Sequence, residues 1–250
     1  MAERAEKNTG ALQSELKIEL HTNYAINLWT GRPRVKKNEE SGVTGRSPIM
    51  GMPGFLHLAA RINSDSLKNN PWADKTMLDL EEKLNEASEL MSGEIASLDK
   101  EMNVLPRGVT LTEAVAKEPL DIKVYSNSPL GYRCVYLLIG FDQLAKQVLQ
   151  AFHYGLISRN RRDQLLRGNG RTLRQIYGIV LKYRSVPVSR VDAIEENDVW
   201  QKACEALGEP DRDVLLGKKR SLFSPPIHEA SINLLIMRDK ARAVPASTKR

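Results

Sequence analysis

From residue 70 onward, apolar residues recur at spacings of three and four: Met77, Leu80, Leu84, Ala87, Met91, Ile95, Leu98 and Met102. That period sets them on one stripe of a single α-helix. Asn70 can cap its start and Pro71 suits the first helical position. Pro106 and Gly108 end it. At 1.5 Å per residue, a helix over 71–103 runs about 50 Å. A rod of that length with one apolar seam needs other helices packed along it. The chain therefore reads as mainly α.

Other segments agree. Leu130, Cys134, Leu137, Phe141, Leu144, Val148 and Phe152 form a second stripe behind Ser128 and Pro129, with Gly155 as its C′ residue. "MPGFLHLAARIN" reads as a short helix opened by Pro53. "SRNRRDQLLRGNG" reads as a short basic helix that stops at Gly-Asn-Gly, and "TLRQIYGIVLKYR" as another helix or a helix–strand transition. "EENDVWQKACEALG" is a helix capped by Asn197, and "IHEASINLLIMRDKA" a last short one. No internal repeat is visible.

Two segments break this pattern. In "ELKIELHT", Leu16, Ile18 and Leu20 alternate with Lys17, Glu19 and His21, the period of a half-buried strand. "NYAINLW" continues it into a helical turn. In residues 121–126, Ile122 and Val124 alternate with Asp121, Lys123 and Tyr125. A lone strand leaves its backbone groups unsatisfied, so it requires a partner. Two partners fit the pattern. One is the same strand in a second copy, which would make an antiparallel intermolecular ribbon. The other is "LKIELHT" in the same chain. A two-stranded ribbon fits the major groove of B-DNA. On the intermolecular reading, Lys123 and Tyr125 would reach base edges, with Asn127 near the groove wall. The strand at 16–22 is the weaker reader, because Glu15 and Glu19 would repel phosphates.

Charge supports an anionic partner. The 250 residues carry a net charge of +6. Between Arg159 and Arg184 lie Arg159, Arg161, Arg162, Arg167, Arg171, Arg174, Lys182 and Arg184, with Asp163 as the sole acid. The rest of the chain is close to neutral. Arginine suits bidentate phosphate contacts better than lysine. Arg133, Arg159, Arg161 and Arg162 are the candidate phosphate contacts. A solvated helix face is the plainer explanation of such a run. Basic loops at 32–37 and 218–220 could extend the footprint, the first within "RPRVKKNEESGVTGRSP", which reads as a flexible connection.

No enzyme signature emerges. The pieces "RGNGR" and "GMPG" lack the spacing and the Lys-Ser/Thr of a phosphate-binding loop. There is no HExxH pair and no cysteine cluster for zinc. Cys134 and Cys204 both sit in apolar-periodic surroundings, so both are expected to be buried, reduced thiols. No catalytic residue, metal or cofactor is expected. The start has no apolar core for a signal peptide, and no apolar run reaches the roughly 20 residues a membrane span needs. The expected location is the cytoplasm, with no membrane partner.

"LHTNYAINLWTGR", "IMGMPGFLHLAARINSDSLKNNPWADKTMLDLEEKL" and "IKVYSNSPLGYRCVYLLIGFDQL" resemble the AcaB-like family, encoded on integrative conjugative elements and large conjugative plasmids. The resemblance spans roughly residues 15 to 185. It implies a ribbon-helix-helix type transcriptional regulator, acting as a homodimer on double-stranded DNA to control conjugative-transfer genes, with activation the expected direction. Simple ribbon-helix-helix domains are far shorter. The extra helices would serve dimer packing, contact with RNA polymerase or another role.

The expected organisation is a disordered N-terminus (1–14), an N-terminal strand with long helices (15–120), a ribbon-helix-helix-like DNA-binding region (121–184), a C-terminal helical region (185–238) and a flexible tail (239–250). Two other functions stay open: a structural or partner-binding component of the transfer machinery, and a nucleic-acid-processing enzyme. The second lacks a spaced acidic cluster.

Overall fold

A computed structural model of the chain describes residues 15–34, 47–106 and 108–243, the last five of these through their backbone only. The expectations for 1–14 and for most of the flexible tail lie outside the described residues, as does most of the 32–48 connection. In chain order the elements are β1 (Leu16–Leu20), α1 (Asn23–Thr30), α2 (Met52–Leu67), α3 (Pro71–Met102), β2 (Leu120–Val124), α4 (Pro129–His153), α5 (Arg159–Lys182), α6 (Arg190–Glu195), α7 (Asp198–Leu207), α8 (Arg212–Leu215) and α9 (Glu229–Ala243). The described residues are mainly helical, with one small two-stranded antiparallel sheet among them.

The long helix forms as its sequence dictates. The Asn70 side chain accepts hydrogen bonds from the Trp72 and Ala73 N–H groups, and Pro71 occupies the first turn. Its seam lies along α4 and α5, while α2 closes the other flank. Phe55 and Ile62 of α2, Leu80 and Leu84 of α3, Leu138 and Phe141 of α4, and Leu173 and Ile176 of α5 meet in one buried core. Each such side chain contributes on the order of 1.5–3 kcal/mol through removal from water. Cys134 is sealed inside this core, where burial pushes its thiol pKa far up; Cys204 is only partly buried, and both are free thiols.

Three local expectations are corrected. The helical turn expected at "NYAINLW" is longer, the eight-residue helix α1, which starts where the Thr22 hydroxyl caps the Ala25 N–H. The helix at 53 is longer than a short one and runs on to Leu67. The basic segment does not stop at Gly-Asn-Gly: α5 is one continuous helix of 24 residues. Two glycines flanking an asparagine read as a stop by local propensity. Here Asn169 points inward, where its amide donates to Glu94 at 2.5 Å and to the Leu165 carbonyl at 2.9 Å. Buried neighbours Leu165, Leu166 and Leu173 hold the helix on both sides. Tertiary packing outweighs the roughly 1 kcal/mol that each helical glycine costs.

The strand finds its partner within the chain. β1 and β2 pair antiparallel, with Leu16 opposite Val124, Ile18 opposite Ile122 and Leu20 opposite Leu120. Of the two partners the sequence left open, β2 has the intrachain one: β1 takes one of its edges. Both strands alternate with the same period, so their apolar faces match in register. Intrachain pairing also avoids the entropy loss of association.

The C-terminal region adds a small cluster of its own, in which Ala193, Leu216 and Leu235 meet Trp200. It docks onto the turn between α2 and α3 through a fully buried Arg190, whose guanidinium lies 2.8 Å from Asp74. Arg220 adds two contacts to the same carboxylate at 3.1 Å, and Ser66 donates to it at 2.5 Å. Arg190 also donates to the carbonyls of Leu215 and Val214. No helix among the described residues is long and apolar enough to cross a membrane.

Candidate nucleic-acid interface

The ribbon rests on α4 through a polar anchor. Asp142 is buried in the middle of the α4 stripe, and its carboxylate accepts from the His21 N–H at 2.8 Å, the Thr22 N–H at 2.8 Å and the Thr22 hydroxyl at 2.7 Å. One side chain thus fixes both the end of β1 and the start of α1. A buried carboxylate is costly unless donors surround it, and three do. The sequence carries a signal for this anchor, an acid on an otherwise apolar stripe, but it does not name the donors.

With the ribbon fixed, its solvent face can be read. Lys17 stands directly opposite Lys123, and Glu19 directly opposite Asp121. The face is therefore split into a cationic end and an anionic end. At the cationic end Glu15 lies between the lysines, 3.7 Å from Lys17 and 3.3 Å from Lys123. Both lysines remain largely in solvent.

Lys123, Tyr125 and Asn127 come together. They line one groove of about 350 Å³ with Trp29, Pro53 and His57. Tyr125 lies just past the end of β2 and is 76% exposed. Asn127 is exposed, and its carbonyl accepts from the Asn63 amide at 3.3 Å. Tyr132 of α4 braces this corner by accepting from the Ser126 N–H at 3.1 Å.

The four arginines do not join them. Arg133 lies one turn into α4 but turns toward α3, donating to Asn85 at 2.6 Å and lying 4.0 Å from Glu81. Its guanidinium covers the Phe223 ring at 5.0 Å. Arg159, Arg161 and Arg162 open α5, beyond the far end of α4. The 25 residues of α4 separate them from the ribbon corner by about 36 Å of helix. Arg161 is 3.5 Å from Glu101. Arg162 lies over Phe152 at 4.3 Å and hydrogen-bonds Asp163, holding that carboxyl below the usual aspartate range. Arg159 is exposed and makes no ion pair among the described residues.

Beyond these, α5 turns a further row of cations to solvent. Arg167, Arg171, Arg174 and Lys182 are exposed. Arg167 reaches Asp163 at 3.6 Å, and Arg174 donates to the Gly170 carbonyl of its own helix. Local propensity splits this segment at Gly168, which conceals that one face runs its whole length.

Among the described residues, no group of three or more His, Cys, Asp or Glu side chains is placed to hold a metal ion. The arrangement presents charge, hydrogen-bond donors and one exposed aromatic ring.

A family model described as "Transcriptional regulator AcaB" matches residues 8–228. Among solved structures, the crystal structure of selenomethionine-containing AcaB from uropathogenic E. coli is similar, with a TM-score of 0.52 and 14% identity. The match covers 80% of this chain and 94% of that one. At that identity the likeness concerns the fold. No curated protein matches the chain. The family match extends from before β1 to beyond α8, a span that takes in the ribbon, its Asp142 anchor and all of α5, and the chain belongs to the AcaB family of transcriptional regulators.

Proposed function

We propose that this regulator binds double-stranded DNA with sequence preference, as a homodimer, and activates conjugative-transfer genes. The observation that carries the DNA reading is the cross-strand pair Lys17 and Lys123 beside the exposed ring of Tyr125. Like charges directly opposite each other in a sheet are destabilising. Glu15 at the ribbon's entrance offsets them only in part, and a nucleic-acid phosphate would do so better. The ribbon has the width of a major-groove element, though it is built within one chain rather than across a dimer as in a simple ribbon-helix-helix protein. Lys123 and Tyr125 read bases and Asn127 holds the groove wall. Arg159 contacts phosphates further along the duplex, and Arg133, Arg161 and Arg162 do so only on leaving their present partners. RNA polymerase is a natural second partner for an activator.

The test is selection of bound duplexes from a random pool. An enriched site with two-fold symmetry supports a dimeric, sequence-preferring regulator. With that site in hand, Lys123→Ala and Tyr125→Ala should each lower its affinity by about 5- to 150-fold, the equivalent of about 1–3 kcal/mol per base contact. Unchanged affinity would remove the ribbon corner from the site. A second reading, a partner-binding component of the transfer machinery, draws on the exposed side chains of Leu222, Leu234 and Met237. Absence of any enriched sequence would favour it.

A further inference from the structure

The solvent face of α5 offers more than scattered charge. Arg167, Arg171, Arg174, Gln175 and Lys182 are all exposed. Their spacing of four, three, one and seven residues keeps them within one side of a helix. Asn160 and Gln164 continue that side toward the N-terminus, so the polar face spans about 33 Å. No acid lies on it. Asp163, the acid of this segment, sits at its margin and is engaged by Arg162. Arg171 and Lys182 make no hydrogen bond or ion pair among the described residues.

A second observation comes from the glycines. Gly168 and Gly178 fall on the same side, and a Cβ at either would meet nothing within 4 Å. Neither is required by packing or by backbone conformation. Each nonetheless costs about 1 kcal/mol relative to alanine in a helix interior. Their effect is to leave the helix backbone bare between the arginines, where another backbone could approach closely.

We propose that this face of α5 lies along the sugar–phosphate backbone of duplex DNA and supplies the sequence-independent part of binding. The proposal rests on the DNA-binding reading above. The 33 Å face is close to one helical turn of the duplex, about 34–36 Å. Asparagine and glutamine side chains, interleaved with the arginines, are donors to phosphate oxygens. The face differs from the ribbon corner in what it recognises: it has charge and amides but no aromatic ring.

The experiment uses the full chain and a labelled duplex of arbitrary sequence, titrated between about 50 and 200 mM salt. Wild type is compared with the triple variant R171Q/R174Q/K182Q and with Gly168→Leu. The triple variant should bind at least tenfold more weakly, and its plot of log affinity against log salt should flatten by about 2–3, near 0.9 for each phosphate that no longer meets a cation. Gly168→Leu, which keeps every charge and suits a helix better than glycine, should also bind more weakly while its salt slope is retained. A matched control, Lys202→Gln, which removes one exposed charge from α7, should leave binding to this duplex nearly unchanged. If wild type binds and the triple variant keeps both affinity and slope, the assignment of α5 is overturned and the DNA-binding reading survives. If wild type binds no duplex at all, the DNA-binding reading itself falls.

Discussion

Asp74 and Arg190, both fully buried, form an ion pair at 2.8 Å between the first turn of α3 and the start of α6. Arg220 shares the carboxylate. Asp74→Ala would leave two guanidinium groups without their counter-charge in a site closed to water. Removing one partner of such a pair costs about 3–5 kcal/mol. Denaturant unfolding of the variant should show that loss. Arg190→Met should cost less than Asp74→Ala, since it removes a buried charge instead of stranding two.

Asp142 holds three donors from the β1–α1 junction. Asp142→Asn keeps the shape, removes the charge and replaces one acceptor oxygen by a donor facing other donors. A loss of about 1–3 kcal/mol is expected. Hydrogen exchange should report it locally: the His21 and Thr22 amides should lose protection more than those of α5.

Glycines in this fold divide by surroundings. A Cβ on Gly51 would collide with the Trp29 carbonyl, and Gly31 opposite has φ +65°. Gly51→Ala should lower the melting temperature measurably. Gly168→Ala meets open space and should raise stability by about 0.5–1 kcal/mol, as alanine does in exposed helices. Calorimetry of the two variants should give shifts of opposite sign.

Arg133 packs α4 against α3 and Phe223. Arg133→Ala should therefore reduce stability by about 1 kcal/mol, as its hydrogen bond and its ring stacking disappear. Its effect on the salt dependence of DNA binding should be smaller than that of Arg171→Ala. The comparison separates an arginine that builds the fold from one left free by it.

Acid should loosen the C-terminal region. Burial alone would push the Asp192 carboxyl up, but hydrogen bonds from Asn197 and from the Ser189 N–H and hydroxyl outweigh it and hold its pKa down. A carboxyl lowered by folding stabilises above its unfolded value of about 3.9 and loses that contribution as pH falls through the lowered value. Trp200, whose helix is capped by Asn197, is a fluorescent reporter in place. Its acid transition should be shallower in Asp192→Asn.

How far residues alone lead depends on the range of the forces involved. The α3 helix is legible because its cap, first proline and apolar seam lie in one stretch of chain. So is the α4 stripe. The strands are legible as strands, but their pairing is open, since two matching alternations fit equally well within one chain or between two. The continuity of α5 through Gly168 is hidden, because what carries the helix across it is Asn169 bound to Glu94, 75 residues away. Lys123, Tyr125 and Asn127 can be grouped from local spacing alone. Arg133 cannot be recognised as a packing residue, because Asn85 and Phe223 are remote in sequence. Arg190 leaves no signal at all, since an arginine in a polar segment gives no hint of complete burial.

The ribbon joins residues about a hundred positions apart, and the order of synthesis separates its two strands in time. At about 5–20 residues per second of synthesis, β1 leaves the ribosome some 5 to 20 seconds before β2 exists. Throughout that wait Leu16, Ile18 and Leu20 have no partner. A short strand with an open edge is a hazard for pairing with other nascent chains. Glu15, Lys17 and Glu19, which contribute nothing to the core, put a charge at every second position of that strand, and charged residues interleaved with apolar ones hold such segments apart until the right edge arrives.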